Sequence, residues 1–273
     1  MGTLFVVATP IGNLQDFSPR AVETLRSVQL IAAEDTRHSG TLRSVFEIST
    51  PMVSYHHHNR AQRESQLLQA MEAGDVALIS DAGTPAIADP GQEIVAAALA
   101  AGHTVVPIPG ASAAIAAVSA SGLVTGPFIF LGFVERKGEG RRAAFGKALA
   151  TGWPIVLFES PQRLLETLGE LQESVGDREV VVARELTKLH EEITRGTLSA
   201  LIERYAHGEI RGEIVIVLAG SDVVAGDTNM ESIASKLLAA GLKPSKAARE
   251  LAQIAGISGD EAYEIIRGLR ART

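Results

Sequence analysis

"ALISDAGTPAIADPG", Ala77 to Gly91, begins as an apolar run and breaks into a loop with two glycines, two prolines and two aspartates. A plain strand-to-helix connection needs few special residues, so this loop calls for a ligand or for tight backbone packing. Its first half, "SDAGTP" (Ser80 to Pro85), leaves a buried strand, "VALIS" (Val76 to Ser80). Gly83 lets a ligand approach the backbone, and Asp81 can accept hydrogen bonds from a ribose or an amino group. In its second half, Asp89 and Pro90 read as the start of the next helix.

Outward from this loop, short β-branched runs alternate with amphipathic segments, the pattern of a parallel sheet covered by helices. Thr3 to Thr9, Leu30 to Glu34, Val76 to Ser80 and Thr104 to Pro109 read as buried strands. The first helix is marked by Ser18 as cap, Pro19 at the first position, and apolar residues at Ala21, Val22, Leu25 and Val28. "ASAAIAAVSASGL" predicts a helix ending at Gly122. A second set of strands follows at Phe128 to Phe133, Pro154 to Phe158, Glu179 to Arg184, Glu191 to Gly196 and Glu213 to Gly220. Some of its connections are too short for a helical crossover, so the second sheet is expected to be mixed.

The domains are therefore placed at 1–117 and 118–222, with a polar linker over Ser221 to Asn229 and a helical domain at 227–273. Its helices are expected at Met230 to Ala240, Ser245 to Ala255 and Ser258 to Leu269, the last opened by the capping box "SGDE". "KPSKAARELAQIAGIS" resembles a helix-turn-helix. The acids Asp260, Glu261 and Glu264 would suit a DNA recognition helix poorly, which favours an accessory cap or an RNA-facing module.

The chain has 273 residues, 46% of them hydrophobic, enough for two buried cores. It has no cysteine, which excludes disulfides, thiolate catalysis and Cys-based zinc sites. A net charge of −7 argues against a protein that coats nucleic acid non-specifically, but it leaves room for local basic patches. The densest, "ERKGEGRR", holds Arg136, Lys137, Arg141 and Arg142. No apolar run reaches membrane-spanning length and "MGTLFVVATP" has no basic leader, so the expectation is a soluble cytoplasmic protein.

Ligands of open α/β sheets bind at the carboxyl ends of the strands. There "ATPIGN" supplies Pro10 and Gly12, and "SDAGTP" supplies Ser80, Asp81, Ala82, Gly83 and Thr84. "PIPGASA" adds Pro109, Gly110, Ser112 and Ala113, with Ser112 placed to cap the following helix. Three such loops on one edge imply a pocket, although no G-x-G-x-x-G, P-loop or G-x-S-x-G motif is present. "AAEDTR" places Glu34, Asp35 and Arg37 at the same edge. "FESPQR" and "ARELTKLHEE" place Glu159, Arg163, Arg184, Glu185 and Lys188 at the ends of later strands. Such charges suit either ion pairing or the steering of a phosphate backbone. The three histidines of "SYHHHN" alternate across a strand and do not converge on one metal, and no metal is expected.

In order, "ATPIGNL", "AAEDTR", "SYHHHN", "ALISDAGTPAIADPG", "PIPGASA", "SGL", "FLGF", "FESPQR", "RELTK" and "GEIVIVLAG" resemble the small-subunit ribosomal RNA methyltransferases of the tetrapyrrole-methylase superfamily, over about residues 3 to 220. The resemblance implies an α/β chain with the two-domain tetrapyrrole-methylase (class III methyltransferase) fold and a small C-terminal helical domain. It implies S-adenosyl-L-methionine as cofactor, and 2′-O-methylation of a cytidine ribose in 16S rRNA near the decoding centre. The substrate would lie within the small ribosomal subunit, and the enzyme would be a homodimer. Glu34 or Asp35 then becomes the candidate base, with Arg184, Glu185 and Lys188 as further catalytic groups. Arg37, Arg136, Lys137, Arg141, Arg142 and Arg163 become RNA contacts. Two family patterns are altered: His57 stands where "HEHN" has its glutamate, and Gln162 where "ESPHR" has its histidine. A tetrapyrrole or corrin methyltransferase of the same fold, or a non-catalytic nucleotide-binding module, would retain the same glycine loops.

Overall fold

The loop at Ser80 leaves the middle of a parallel sheet. In chain order the first half contains β1 (Thr3–Val7), α1 (Pro19–Ser27), β2 (Leu30–Ala33), α2 (Ser39–Val45), β3 (Met52–Ser54), α3 (Arg60–Ala73), β4 (Val76–Ile79), α4 (Gln92–Ala100) and β5 (Thr104–Ile108). The strands pair in the order β3-β2-β4-β1-β5, every pair parallel. All four residues of β4 are buried, as a strand covered on both faces requires. Successive residues divide between the two faces: Ala77 and Ile79 pack with Leu25 of α1, while Val76 and Leu78 pack with Leu67 of α3 and Ile94 of α4. Ser18 caps α1 as expected, its hydroxyl accepting from the Ala21 amide at 3.1 Å. The expected strands are present, each one or two residues shorter at its carboxyl end, where the chain turns into the loops. β3 was not expected, because three residues at a sheet edge carry too little pattern to read.

The computed structural model describes residues 2–56, 59–221, 230–239, 242–255 and 257–272. They form two compact units, Met1–Ala219 and Gly220–Thr273. The first unit continues with α5 (Ala113–Ser121), β6 (Ile129–Phe133), α6 (Glu139–Ala150), β7 (Ile155–Glu159), α7 (Leu164–Val175), β8 (Glu179–Arg184), β9 (Glu192–Thr197), α8 (Leu198–Ala206) and β10 (Ile214–Leu218). The second sheet runs β6-β7-β10-β8-β9. It is mixed: β6 and β7 are parallel, and the other pairs are antiparallel.

α5 leaves the first sheet but packs on the second, where Ala114 and Ala117 meet Val156, Val181, Val215 and Val217. The division expected at 117/118 therefore falls inside a helix. Small alanines let that helix approach the sheet closely, and Gly122, at φ +63°, ends it in the left-handed conformation.

The second unit contains α9 (Met230–Ala239), α10 (Pro244–Ala255) and α11 (Gly259–Arg272) around Ala234, Ala247, Ala248, Leu251, Ala262 and Ile266. The Ser258 hydroxyl accepts from the Glu261 amide at 3.2 Å, half of the expected capping box. Residues 222–229 of the expected linker lie outside the described residues. Among the described residues, no helix is long and apolar enough to cross a membrane.

Ile216 is fully buried in β10, which is paired on both sides. Ile216→Ala should destabilise the first unit by about 2–5 kcal/mol, read as a lower urea midpoint at unchanged m-value. Val45→Ala, at a residue 54% exposed, should stay within about 0.5 kcal/mol.

Candidate functional site

The loops after β1 and β4 are joined by a reciprocal backbone pair. Thr9 N donates to Gly83 O at 2.9 Å and Gly83 N donates to Thr9 O at 3.1 Å. The Thr9 hydroxyl adds a bond to Ser80 O at 3.2 Å. Gly83 holds φ +78°, a conformation side chains disfavour. The loop after β5 comes equally close, for a Cβ on Gly110 would lie 2.9 Å from the Ala8 side chain. The loop after β2 is tied in by acids: Asp81 N donates to Glu34 Oε2 at 3.3 Å, and Asp35 N donates to Asp81 Oδ1 at 3.1 Å.

From the second sheet, the turn between β8 and β9 reaches these loops. Asn13 N donates to Thr187 Oγ1 at 3.1 Å, and a Cβ on Gly12 would meet Lys188 Cγ at 2.5 Å. The turn is tightly wound, with Glu185 and Thr187 at φ +52° and +68°.

Between the two edges lies a cavity of about 450 Å³. Ile11, Ile87, Phe133, Phe158 and Leu186 give it apolar walls, and Glu34, Asp81, Asp89, Ser112 and Ser160 give it polar ones. Burial raises the pKa of Glu34, and the carboxylates of Asp89, Asp81 and Asp35 add to the effect against a backbone bond from Asp81. Burial likewise raises Asp89, with Asp81 adding and a hydrogen bond from Ser80 opposing. Perturbed acids in a largely apolar concavity are the physical signature of a functional site.

Of the residues singled out from sequence, Glu34, Asp81, Ala82, Gly83, Thr84, Ser112 and Ala113 line this cavity. Pro10, Gly12 and Ser80 line a smaller cavity of about 190 Å³, which shares Asp81 with the first. Pro109 and Gly110 line neither and shape the loop behind. The Ser112 side chain makes no cap bond, and α4 starts at Gln92 from Gly91, so Asp89 and Pro90 do not begin that helix. Asp89 faces the cavity instead.

The catalytic assignments of Asp35, Arg184, Glu185 and Lys188 meet a different geometry, since none lines either cavity. Hydrogen bonds from Arg37 hold the Asp35 carboxyl at about 2. Arg184 pairs with Glu192 at 3.0 Å. Lys188 Nζ donates to Glu185 at 2.9 Å and to Glu213 at 3.0 Å. The Lys188 bond, with the Glu213 amide, lowers the Glu185 pKa. For Lys188, burial is the largest single influence and pulls downward, yet the two carboxylates together raise it.

Two of the arginines expected to contact RNA are engaged by acids of the first unit instead of standing free on its surface. Arg141, its side chain 5% exposed, donates to Glu170 at 2.6 Å and Thr167 at 2.8 Å. Arg163 pairs with Glu159 at 3.1 Å and donates to Val134 O. Both guanidiniums are held inside by the buried Glu159, which also accepts from Thr167 at 2.6 Å and from the Ser160 amide at 2.8 Å. That carboxylate fixes the turn carrying Ser160 and Pro161 to the cavity wall. Arg136, Lys137, Arg142 and Arg37 are exposed.

Sequence reasoning missed Ile87, Asp89, Phe133 and Phe158 as cavity residues. Aromatics in a strand read as core, and an Asp before Pro reads as a helix start. The length of the loop from Ser80 to Gly91 was the available signal. His57 and His58 lie outside the described residues, among which no group of three or more acids and histidines could hold a metal ion.

Residues 3–202 match the tetrapyrrole (corrin/porphyrin) methylases. The chain is 47% identical to ribosomal RNA small subunit methyltransferase I of Synechocystis sp., over 99% of both chains. It is 47% identical to the protein of that name in Bacillus subtilis, over 81% of this chain and 76% of the relative. The structure of uroporphyrin-III C-methyltransferase from Thermus thermophilus, complexed with S-adenyl homocysteine, superposes with a TM-score of 0.57. It covers 80% of this chain and 97% of that one at 19% identity, a likeness of fold.

Arg141→Ala leaves Glu159 with one fewer buried partner and should cost about 3–5 kcal/mol. Arg142→Ala, at an exposed neighbour, should cost under about 0.5 kcal/mol. Chemical denaturation of the two variants checks this.

Proposed function

The chain belongs to the ribosomal RNA small subunit methyltransferase I family of the tetrapyrrole methylases, and we propose from that premise that it transfers a methyl group from S-adenosyl-L-methionine to a cytidine 2′-hydroxyl of 16S rRNA near the decoding centre. Methylation of ribosomal RNA is supported by the 47% identity over 99% of the Synechocystis relative. The cytidine 2′-hydroxyl and its place near the decoding centre are what the motif resemblance implies, and the acid-lined cavity at the carboxyl edge of the first sheet is the observation that supports methyl transfer there.

The residues present fit the cofactor. The cavity, about 450 Å³, lies within the usual range for small-molecule sites. Gly83 leaves the cavity wall open to close approach, and Ile87, Phe133 and Phe158 offer surface for a base. Asp81 and Asp89 complement an amino group, ribose hydroxyls and a sulfonium. Ala82, Gly83, Thr84, Ser112 and Ala113 would complete the wall around it.

When bound, S-adenosylmethionine supplies an electrophilic methyl. The chain's own part is to align the acceptor hydroxyl, exclude water and take up the hydroxyl proton. Glu34 is the base in this reading, because it lines the cavity and binds a proton more readily than an ordinary carboxylate. Asp35, at about 2, is too weak a base for that step. Arg37, Arg136, Lys137 and Arg142 would contact phosphates of single-stranded RNA. The protein would act in the cytoplasm as a homodimer, on the small ribosomal subunit.

Labelled S-adenosylmethionine should deliver its methyl to small-subunit RNA and not to a porphyrin-type acceptor. Glu34→Gln should lower kcat by about 10²–10⁴-fold with little effect on cofactor binding. A base works deprotonated, so wild-type kcat should fall as pH drops through the raised Glu34 pKa, and the Gln variant should lack that limb. Label entering the porphyrin would overturn the RNA assignment, and an unchanged Gln variant would remove Glu34 from the mechanism. Separately, reversing the charges of Arg136, Lys137 and Arg142 should weaken RNA binding, most at low salt, and leave the cofactor dissociation constant unchanged. Both are read by titration.

A further inference from the structure

A methyl donor and its acceptor must approach to about 3–3.5 Å in line, so the acceptor site has to share a wall with the cofactor cavity. The smaller cavity does so through Asp81, which lines both. Asp81 also bonds, through its amide, to Glu34 Oε2 at 3.3 Å. A hydroxyl presented from the smaller cavity at Asp81 therefore arrives beside the proposed base and at the edge of the cofactor's space.

We propose that this smaller cavity is the acceptor subsite, taking the ribose of one nucleotide splayed out of single-stranded RNA. The proposal rests on the rRNA reading above. At about 190 Å³ the cavity falls below the usual range for cofactor sites, and it suits a sugar rather than a second cofactor. Its lining matches that chemistry. Ser39 and Thr41 carry hydroxyls that donate and accept, as ribose hydroxyls do, His38 offers ring nitrogens, and Pro10 and Leu42 provide an apolar surface for the sugar's carbon face. Asp81 is the acceptor that a ribose hydroxyl would meet at the shared wall.

The residue next to this lining can supply the charge that a flanking phosphate requires. Arg37 precedes His38 in the chain, and its side chain is 90% exposed. Its pair with Asp35 at 2.8 Å lies in solvent, where such pairs contribute little, so a phosphate can compete for the guanidinium. A bidentate arginine–phosphate contact would also orient the backbone. The sugar is then gripped within the cavity and the phosphate outside it, while the base extends away.

The test uses Thr41→Leu, which fills the cavity from an exposed position, and His38→Ala, which removes a polar contact. Three quantities are measured on the full-length protein: KM for small-subunit RNA, direct binding of a short single-stranded RNA, and the dissociation constant for S-adenosylhomocysteine. Both variants should raise KM and weaken RNA binding by about tenfold, with cofactor binding unchanged. If wild-type protein labels RNA and the variants bind RNA normally, the subsite is overturned and the rRNA reading stands. If cofactor affinity falls in step with RNA affinity, the cavity belongs to the cofactor and the subsite is again overturned. If wild-type protein labels no RNA, the rRNA reading fails and this proposal fails with it.

Discussion

Two backbone hydrogen bonds between Thr9 and Gly83 set the position of everything else at the site. They pair residues of separate loops, after β1 and after β4, as an isolated antiparallel rung beyond two strands that themselves run parallel. A rung beyond the strand ends satisfies polar groups that a loop would otherwise leave to water. It also removes two loops from the set of moving parts. With Gly83 in the left-handed region, the chain then turns Asp81 and Ala82 toward the cavity. A side chain at residue 83 would strain the turn, and without the turn the acids would not converge.

The alternation of β4 was legible because a strand covered on both faces must be apolar throughout, and "VALI" is. The mixed second sheet was legible from loop length alone. β3 was not, since Met52–Ser54 is an edge strand of three residues whose pairing comes from its neighbour rather than its own pattern. The glycine loops announced the pocket. The walls supplied by Phe133 and Phe158 stayed hidden, because an aromatic in a strand has the same signature whether it faces a core or a cavity. Only the packing of two sheets decides which, and packing is not local.

The same limit explains the basic residues. Arg141 and Arg142 are neighbours of one type in one loop-like sequence, yet Arg141 is 5% exposed and Arg142 lies on the surface. α6 begins at Glu139, so adjacent residues lie about 100° apart around its axis. One of the pair faces the buried Glu159 and the half-buried Glu170, where an arginine fork matches carboxylate geometry. Charge density in sequence counts cations; a helix distributes them between structure and solvent.

Glu34 and Asp35 show the same division at closer range, and here it separates two chemistries. They follow one another in the loop just after β2 (Leu30–Ala33), and there their side chains part. Glu34 enters the cavity, loses water and gathers three other carboxylates around it, so its proton affinity rises. Asp35 turns outward to Arg37, which stabilises its charged form and holds it at about 2. Exchanging the two orientations would exchange the surroundings as well: a carboxylate at 35 in the cavity would lose its arginine and its water and bind a proton more readily, while one at 34 beside Arg37 would hold its charge. A single step along the loop therefore decides which acid is available as a base and which serves to hold the loop.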